Sequence, residues 1–293
     1  MRRKILTALD GSKTSESILP HLEMLLRNED ADVTLARVAI PGGPGAEEIE
    51  EYLKALASSL ESKGASVDTA ILKGDPAAEI VRRAIEGGFH LIAMCSRGKT
   101  GLKRLILGSV AEAVLRRSTV PVLIVHPTEK SADAPKIRRI VVPLDGTHRA
   151  AGILASVADL AGAAGAKIGF VSVVSPTKRE ELPVEVVAEN IFREQKKLQK
   201  RGLDVELAIL YGDPALETVG FAERNQADLV ALATHGRSGL DRIRHGSVAE
   251  TILRSTRIPL LVVRTKAAVK PPLRPRLGLR RRARTPEVAA RAR

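Results

Sequence analysis

The chain is poor in the residues that build disulfide frameworks and base-stacking surfaces. Of its 293 residues one is cysteine and none is tryptophan, and aromatic residues make up 2%. A single cysteine excludes an internal disulfide framework and suits a reducing compartment. The scarcity of aromatic rings argues against a nucleic-acid platform that stacks bases on exposed side chains.

Long apolar runs are also missing. No stretch approaches the roughly 18 consecutive apolar residues that are needed to span a bilayer. The first residues are basic, but the apolar stretch after them breaks at Asp10, which is too early for the h-region of a signal peptide. We therefore expect no transmembrane segment and a cytoplasmic location.

The positive charge is concentrated at one end of the chain. The net charge is +13, and residues 266–293 contribute +9 of it, from ten Lys or Arg and one Glu, which leaves +4 for the rest. Prolines and like charges disfavour packing, so this basic tail is predicted to be disordered. The alternative is weak, salt-sensitive contact of the tail with nucleic acid or anionic lipid.

The sequence repeats itself once. At an offset of 138, "SRGKTGLKRLILGSVAEAVLR" from Ser96 falls on "THGRSGLDRIRHGSVAETILR" from Thr234. Near the start, "KILTALDGS" matches "RIVVPLDGT" at an offset of 135, so the second copy gains three residues before its Gly-Asp-Pro turn. One repeat at this spacing indicates a duplicated domain rather than a short-period solenoid. We predict domains over 1–127 and 138–265, a linker over 128–137, and the tail over 266–293.

Each copy alternates short β-rich runs with helical patterns, of which the first covers 13–28. This β-α order predicts an α/β fold with two tandem doubly wound, mostly parallel sheets of Rossmann-like type and helices on both faces. Strands are predicted near 4–9, 32–39, 66–72, 90–95 and 121–126 in the first copy and 139–144, 167–174, 204–210, 228–233 and 259–264 in the second.

Candidate binding residues collect at the carboxyl ends of the strands, where ligands bind in such sheets. The first strand of each copy ends at an aspartate, Asp10 or Asp145, and the fourth ends at a glycine loop. A helix then begins at 108–109 or 246–247, and its unpaired N–H groups favour an anion. The serine of each Gly-Ser pair is expected to cap the helix and to bond a phosphate oxygen.

The tripeptide Gly98-Lys99-Thr100 looks like the end of a P-loop, but the match is partial. The P-loop pattern needs a glycine five residues before Gly98, where Ala93 stands inside an apolar run. The backbone nest around the phosphates would lose its first hinge, so a P-loop NTPase is disfavoured.

The glycine loops resemble those of the universal stress protein family, in its ATP-binding branch. The family pattern is G-x-x-G, nine residues, then G-[ST], and in each copy nine residues separate the glycine, Gly98 or Gly236, from a Gly-Ser pair. The strand ends "ALDGS" and "PLDGT" also look like the family. The resemblance covers about 2–126 and 138–264. Cys95 and Ala233 depart from the pattern, because each replaces its first glycine.

The resemblance implies a fold like that of adenine nucleotide alpha hydrolases and ATP as the ligand, with Mg²⁺ bridging its phosphates. Asp10 and Asp145 would contact the adenosine part, and the backbone of Val38 and Val173 would meet the adenine. The phosphates would lie against Gly98, Gly108, Ser109 and Val110 in the first copy and Gly236, Gly246, Ser247 and Val248 in the second.

The resemblance also implies a nucleotide-dependent stress or signalling module with at most slow ATP hydrolysis and no catalytic residue. The family often pairs domains through their last strands, which implies an intramolecular pseudo-dimer and leaves further self-association open. Two alternatives remain. One is an adenylyl-transfer enzyme, for which we find no paired base and nucleophile. The other is a nucleotide-free scaffold that binds anionic partners through its tail.

Some candidate residues have simpler structural alternatives. Asp10 could serve only to cap the following helix. The two Gly-Asp-Pro turns are expected to start helices, with Asp as N-cap and Pro at the first position. Cys95 is expected to be a small buried residue rather than a reactive thiol. The six histidines and one cysteine show no metal-ligand spacing.

Overall fold

The structure is a computed structural model, and it describes residues 2–28, 31–62, 64–97, 107–127, 135–147, 150–176, 183–235 and 247–265. These residues contain a ten-stranded sheet covered by helices. Each strand predicted from the apolar runs is present, with its bounds within two residues of the expected ones.

The elements of the two copies follow the same order. The first copy forms β1 Arg3–Leu9, α1 Lys13–Glu16, α2 Leu19–Asn28, β2 Ala31–Ala39, α3 Ala46–Glu61, β3 Ser66–Lys73, α4 Pro76–Glu86, β4 Leu91–Cys95, α5 Ser109–Arg117 and β5 Val122–Val125. The second forms β6 Arg139–Pro143, a 3₁₀ helix Ala150–Ile153, α6 Leu154–Ala164, β7 Lys167–Val174, α7 Val184–Gln199, β8 Val205–Tyr211, α8 Pro214–Arg224, β9 Leu229–His235, α9 Ser247–Ser255 and β10 Leu260–Thr265.

The first helical pattern, over 13–28, divides into two helices. Helix α1 ends at Glu16 and α2 begins at Leu19. Pro20 is the cause, because it has no N–H for the Glu16 carbonyl and its ring would clash with that carbonyl in a continuous helix. Restarting at Leu19 places Pro20 in a first turn, where the missing N–H costs nothing.

The two Gly-Asp-Pro turns start helices, as expected. Asp75 is the N-cap of α4, and its Oδ1 accepts a hydrogen bond from the Ala78 N–H at 2.9 Å. Asp213 is the N-cap of α8 and accepts from the N–H groups of Ala215 and Leu216. In both helices proline follows the cap.

The strands form one continuous sheet in the order β3-β2-β1-β4-β5-β10-β9-β6-β7-β8. Within each half the paired strands run parallel. The two halves meet where β5 and β10 pair antiparallel, with Leu123 opposite Leu261. The Arg264 guanidinium reinforces this seam, because its Nη1 donates to the Arg116 carbonyl at 3.1 Å.

A hydrophobic core covers each face of the sheet. Alternate residues of a strand enter opposite cores, as Ile5 and Leu6 of β1 do. Helices α2, α3, α6 and α7 cover one face, and α4, α5, α8 and α9 cover the other. Each core therefore spans both copies. Among the described residues, no helix is long and apolar enough to cross a membrane.

We expect Leu261→Ala to weaken the joined sheet. Leu261 is 4% exposed and lies at the seam, so its truncation leaves a cavity that typically costs about 2–5 kcal/mol. The thermal midpoint, followed by circular dichroism, should fall clearly below that of the wild type. Leu216→Ala is the control, since Leu216 is 63% exposed and its loss should change stability by about 0.5 kcal/mol or less. Equal midpoints for the two variants would contradict the expectation.

Candidate functional site

Strand order reverses once within each half of the sheet. In the first half the chain leaves β1 toward β2 and later returns to β4 on the other side of β1. Ala8 pairs with Met94, which brings Asp10 and Ser96, just past these two strands, to the same edge. Strands β6 and β9 form the equivalent position in the second half. Ligands of open α/β sheets bind in a crevice at such a reversal.

Asp10 forms a tight turn at the first crevice. Its Oδ1 accepts hydrogen bonds from the N–H of Ser12 at 2.9 Å and from the hydroxyl of Ser12 at 2.5 Å. The N-cap of α1 is Ser12, whose Oγ accepts from the Ser15 N–H at 3.1 Å. The alternative in which Asp10 caps this helix is therefore wrong, and Asp10 instead orients the residue that does.

The second copy repeats this turn. Asp145 Oδ1 accepts from the N–H of Thr147 at 2.9 Å and from its hydroxyl at 2.6 Å. The intervening residues, Gly11 and Gly146, have φ of +82° and +72°, a region that glycine adopts without strain. The two aspartates thus occupy matched positions beside the two crevices.

Helix α5 begins beside the end of β4. Gly108 is its N-cap, and the Gly108 N–H donates to the Ser96 carbonyl at 2.8 Å. The expectation that Ser109 caps this helix is wrong, because Ser109 is the first helical residue and is exposed. Gly108 has no side chain with which to satisfy the N–H groups of the first turn, so these donors suit an external acceptor.

The structure describes some of the other residues that are predicted to contact the nucleotide. Val38 and Val173 are the next-to-last residues of β2 and β7, pair with Leu72 and Leu210, and are half-buried. In the second copy α9 begins at Ser247, with Val248 packed against the core. Gly98, Gly236 and Gly246 lie outside the described residues.

In the first copy the described candidates converge. Asp10, Val38 and the start of α5 lie at one edge of the sheet, because β1, β2 and β4 run parallel and end together. In the second copy Asp145 follows β6, and Val173 lies near the end of the neighbouring parallel strand β7.

A buried polar pair that the sequence did not indicate lies just past the ends of β4 and β5. Ser96 Oγ and His126 Nδ1 are 3.0 Å apart, and the two residues are 0% and 5% exposed. Burial, with the nearby cations of Arg97 and Arg257, lowers the pKa of His126 to about 4. The imidazole is therefore neutral at neutral pH. Its Nε2 is buried without a hydrogen-bond partner in the described structure.

Arg37 is a second buried polar residue that was not among the candidates from the sequence. It lies on β2 beside Val38, is 7% exposed, and places its guanidinium carbon 5.3 Å from the centre of the Tyr52 ring. The signal was available in the sequence, because an arginine interrupts the apolar strand "VTLARVA". A charged residue in a strand that is buried on both faces calls for a specific partner.

Comparison with known proteins identifies the family. The sequence model of the universal stress protein family matches residues 1–126 and 136–264. The chain belongs to the universal stress protein family. Both copies are matched, so this is a tandem member.

Its relatives match either about half of the chain or most of it. Universal stress protein MJ0531 of Methanocaldococcus jannaschii is 35% identical over 143 residues, 44% of this chain and 84% of that protein. A universal stress protein of Mycolicibacterium smegmatis is 24% identical over 292 residues, 89% of this chain and 97% of that one.

A solved structure shares the tandem fold. A universal stress protein from Archaeoglobus fulgidus has a TM-score of 0.75 and 22% identity, and the match covers 89% of this chain and 98% of that one. This likeness supports the fold of both copies together.

We expect Cys95 of this universal stress protein to be unreactive in the folded state. Cys95 is buried, and burial is the main reason that the pKa of its thiol rises to about 11. Because the chain has one cysteine, a thiol-specific disulfide reagent reports on it alone. The native protein should release almost no chromophore within minutes, and the denatured protein should release one equivalent. Rapid labelling of the native protein would contradict the expected burial.

We expect His126 to make stability fall as the pH is lowered below about 6.5. The histidine gains a proton near pH 6.5 in the unfolded chain, but only near pH 4 when folded. The unfolded state thus binds more protons between these two pH values. Acidification from pH 7 to pH 4.5 should therefore lower the free energy of unfolding by about 2 kcal/mol through His126.

The matched variant for this expectation is His126→Gln, whose amide can still bond the Ser96 hydroxyl. Its thermal midpoint should fall less steeply than that of the wild type over the same pH range. Parallel pH profiles for the two proteins would show that His126 is not the titrating group.

Proposed function

We propose that this universal stress protein binds ATP at the strand-order reversals of its two copies, 1–127 and 138–265, and acts as a nucleotide-dependent stress or signalling module. The observation that carries the proposal is the recurrence of one turn, in which Asp10 and Asp145 bond Ser12 and Thr147, beside both crevices. A glycine loop follows the neighbouring strand in each copy.

The residues fit the parts of a nucleotide. A carboxylate that is held in a fixed turn can accept the hydroxyl protons of a ribose. The backbone of Val38 and Val173 would meet the adenine. The start of α5 lacks a side-chain cap, so its N–H groups and positive dipole end suit a phosphate. The phosphate contacts are assigned to Gly98, Gly108, Ser109 and Val110, and to Gly236, Gly246, Ser247 and Val248.

A divalent ion would enter this site bound to the phosphates of the nucleotide. The described residues contain no group of three or more His, Cys, Asp or Glu side chains that could hold a metal ion. Mg²⁺ is commonly bound through substrate phosphates with few protein ligands. We therefore propose that Mg²⁺, where bound, bridges the phosphates of ATP.

Slow turnover at most is part of the proposal. The Ser96–His126 pair resembles a nucleophile and its base in type, but Ser96 is fully buried. A nucleophile must reach the substrate to react. We assign the pair a supporting role beneath the crevice, and we assign ATP the role of shifting the protein between conformations that differ in nucleotide affinity.

The experiment begins with native mass spectrometry of the purified full chain, followed by titration calorimetry with ATP and Mg²⁺. We expect bound adenine nucleotide and a saturable ATP isotherm. Asp10→Ala and Asp145→Ala each remove a charged acceptor from one copy. The loss of such a hydrogen bond should weaken ATP binding by that copy about tenfold or more.

Asp68→Ala is the matched control, because Asp68 is an exposed carboxylate in the middle of β3, away from the carboxyl edge. It should leave ATP affinity unchanged. A folded wild-type protein that binds no ATP would overturn the proposed function.

A further inference from the structure

Strand β8 forms one outer edge of the ten-stranded sheet, and this edge is apolar. Among the described strands, β8 pairs with β7 alone. Its sequence is "VELAILY", in which Ile209 is 41% exposed and Tyr211 is 74% exposed. An exposed, apolar edge strand is a ready template for pairing with a strand of another chain.

The register of β8 shows which of its backbone groups face outward. The Asp204 carbonyl and the Gly212 N–H, at the two ends of the strand, both form hydrogen bonds with β7. Alternate residues of a strand direct their backbone groups to the same side, so the even-numbered residues of β8 face β7. Leu207, Ile209 and Tyr211 therefore direct their N–H and C=O groups away from the sheet.

Two glutamines of α7 cap the beginning of this edge. The Val205 carbonyl, at the first odd-numbered position, accepts hydrogen bonds from Gln195 Nε2 at 2.9 Å and from Gln199 Nε2 at 3.0 Å. Among the described residues, the outward groups at the next three odd-numbered positions have no such partner. The open part of the edge therefore extends from Leu207 to Tyr211.

An exposed phenylalanine of α7 lies beside this open part. Phe192 shares one face of the helix with Gln195 and Gln199, because residues three, four and seven apart lie on the same side. Since β7 and β8 are parallel, the connecting helix runs opposite to both. Phe192 precedes Gln199 by about 10 Å along the helix axis, which equals about three residues of strand.

The equivalent edge of the first copy is polar. An offset of 138 aligns β3 with β8 and α3 with α7. Three apolar residues of the second copy have exposed polar counterparts in the first: Lys54 for Phe192, Thr69 for Leu207 and Lys73 for Tyr211. Lysine on an edge strand is a common protection against unwanted pairing. The two edges of the sheet therefore differ, and only β3 has this protection.

The edge at β8 also brings no unpaired charge. Glu206 is the one charged residue between 205 and 211. Its carboxylate forms ion pairs with Arg139 and with Lys167, the latter at 3.0 Å. A second strand of the same sequence would therefore meet no uncompensated like charge along this edge.

We propose that β8 is the interface for a second molecule of this protein, whose own β8 pairs with it antiparallel about a two-fold axis at Ile209. In this register Ile209 lies opposite Ile209 of the second molecule, and Leu207 lies opposite Tyr211. These residues all face outward, so each pair exchanges two N–H···O bonds. Their side chains share the face that α7 covers, where apolar and aromatic cross-strand pairs stabilise the sheet.

The sheet already contains a joint of this kind. Strands β5 and β10 are equivalent strands of the two copies, and they pair antiparallel with Leu123 opposite Leu261. A pair of β8 strands would continue the same sheet in the same manner. A self-complementary edge of this type forms a closed two-fold dimer. Because β3 is protected by Lys73, the assembly should end at two molecules instead of growing into a fibre.

The test is sedimentation velocity of the full chain over a range of protein concentrations, without nucleotide. The inference does not depend on the proposed function, because none of the assigned nucleotide contacts lies on β8. Ile209→Lys and Ile209→Glu each place like charges opposite each other at the proposed axis. Tyr211→Lys introduces the residue type of the first copy. Thr69→Lys is the matched control, since it adds the same charge to an exposed position of β3.

We expect the wild type and Thr69→Lys to form dimers with the same dissociation constant. Ile209→Lys and Ile209→Glu should each raise this constant at least about tenfold, because like charges then face each other across the interface. An equimolar mixture of the two Ile209 variants should restore the dimer. The introduced lysine faces the introduced glutamate only if the two-fold axis passes through this residue.

Circular dichroism would show that each variant is folded. Tyr211→Lys provides a second measurement, because the high exposure of Tyr211 makes a loss of folding unexpected, and it should also weaken the dimer. A wild-type protein that stays monomeric would overturn the inference and leave the edge to a strand of another protein. Dimers unchanged in both Ile209→Lys and Tyr211→Lys would also overturn it, as would a mixture of the Ile209 variants that does not associate.

Discussion

The antiparallel pairing of β5 and β10 determines the shape of the whole molecule. Each half of the sheet is parallel, and a parallel half by itself ends in a strand with unpaired backbone groups. Pairing the two last strands satisfies both edges at once and merges two small sheets into one of ten strands. The cores then continue from one copy into the other on both faces.

The same pairing separates the two candidate sites. Because β5 and β10 run in opposite directions, the carboxyl ends of the two halves face opposite edges of the sheet. The crevice at β1 and β4 and the crevice at β6 and β9 therefore lie at opposite edges and share no strand. Each copy must supply the residues of its own site, which allows the copies to diverge.

They have diverged in ways that follow from single residues. Pro143 ends β6, and the Leu144 N–H bonds the Val171 carbonyl of β7. N–H groups alternate along a strand, so Pro143 lacks the N–H that would face β9, and the β6–β9 ladder is short. The segment before α7, residues 175–183, is three residues longer than its counterpart 40–45. Arg37 of the first copy corresponds to Ser172 in the second, so the surroundings of the turns after β1 and β6 differ in charge as well.

The sequence by itself determined the duplication, the strands and the N-caps of α4 and α8. Apolar runs and Gly-Asp-Pro turns act locally, through burial on both faces and through hydrogen bonds to the nearest N–H groups, so their outcome can be derived from spacing. The positions of Asp10 and Asp145 beside the crevices also follow from their places at strand ends. The split of the first helix at Pro20 follows from the same local chemistry, although the periodicity conceals it.

Only the tertiary structure decided which side chains meet across the fold. Ser96 and His126 are 30 residues apart and touch because β4 and β5 are neighbours. Arg37 meets Gly11 and Tyr52 because β2 pairs with β1 and α3 packs on the same face of the sheet. A side chain's partners depend on the packing of distant segments, whereas strand and helix propensity depend on neighbours along the chain. The charge at Arg37 is visible in the sequence, but only the folded protein shows that no carboxylate of the described residues forms an ion pair with it.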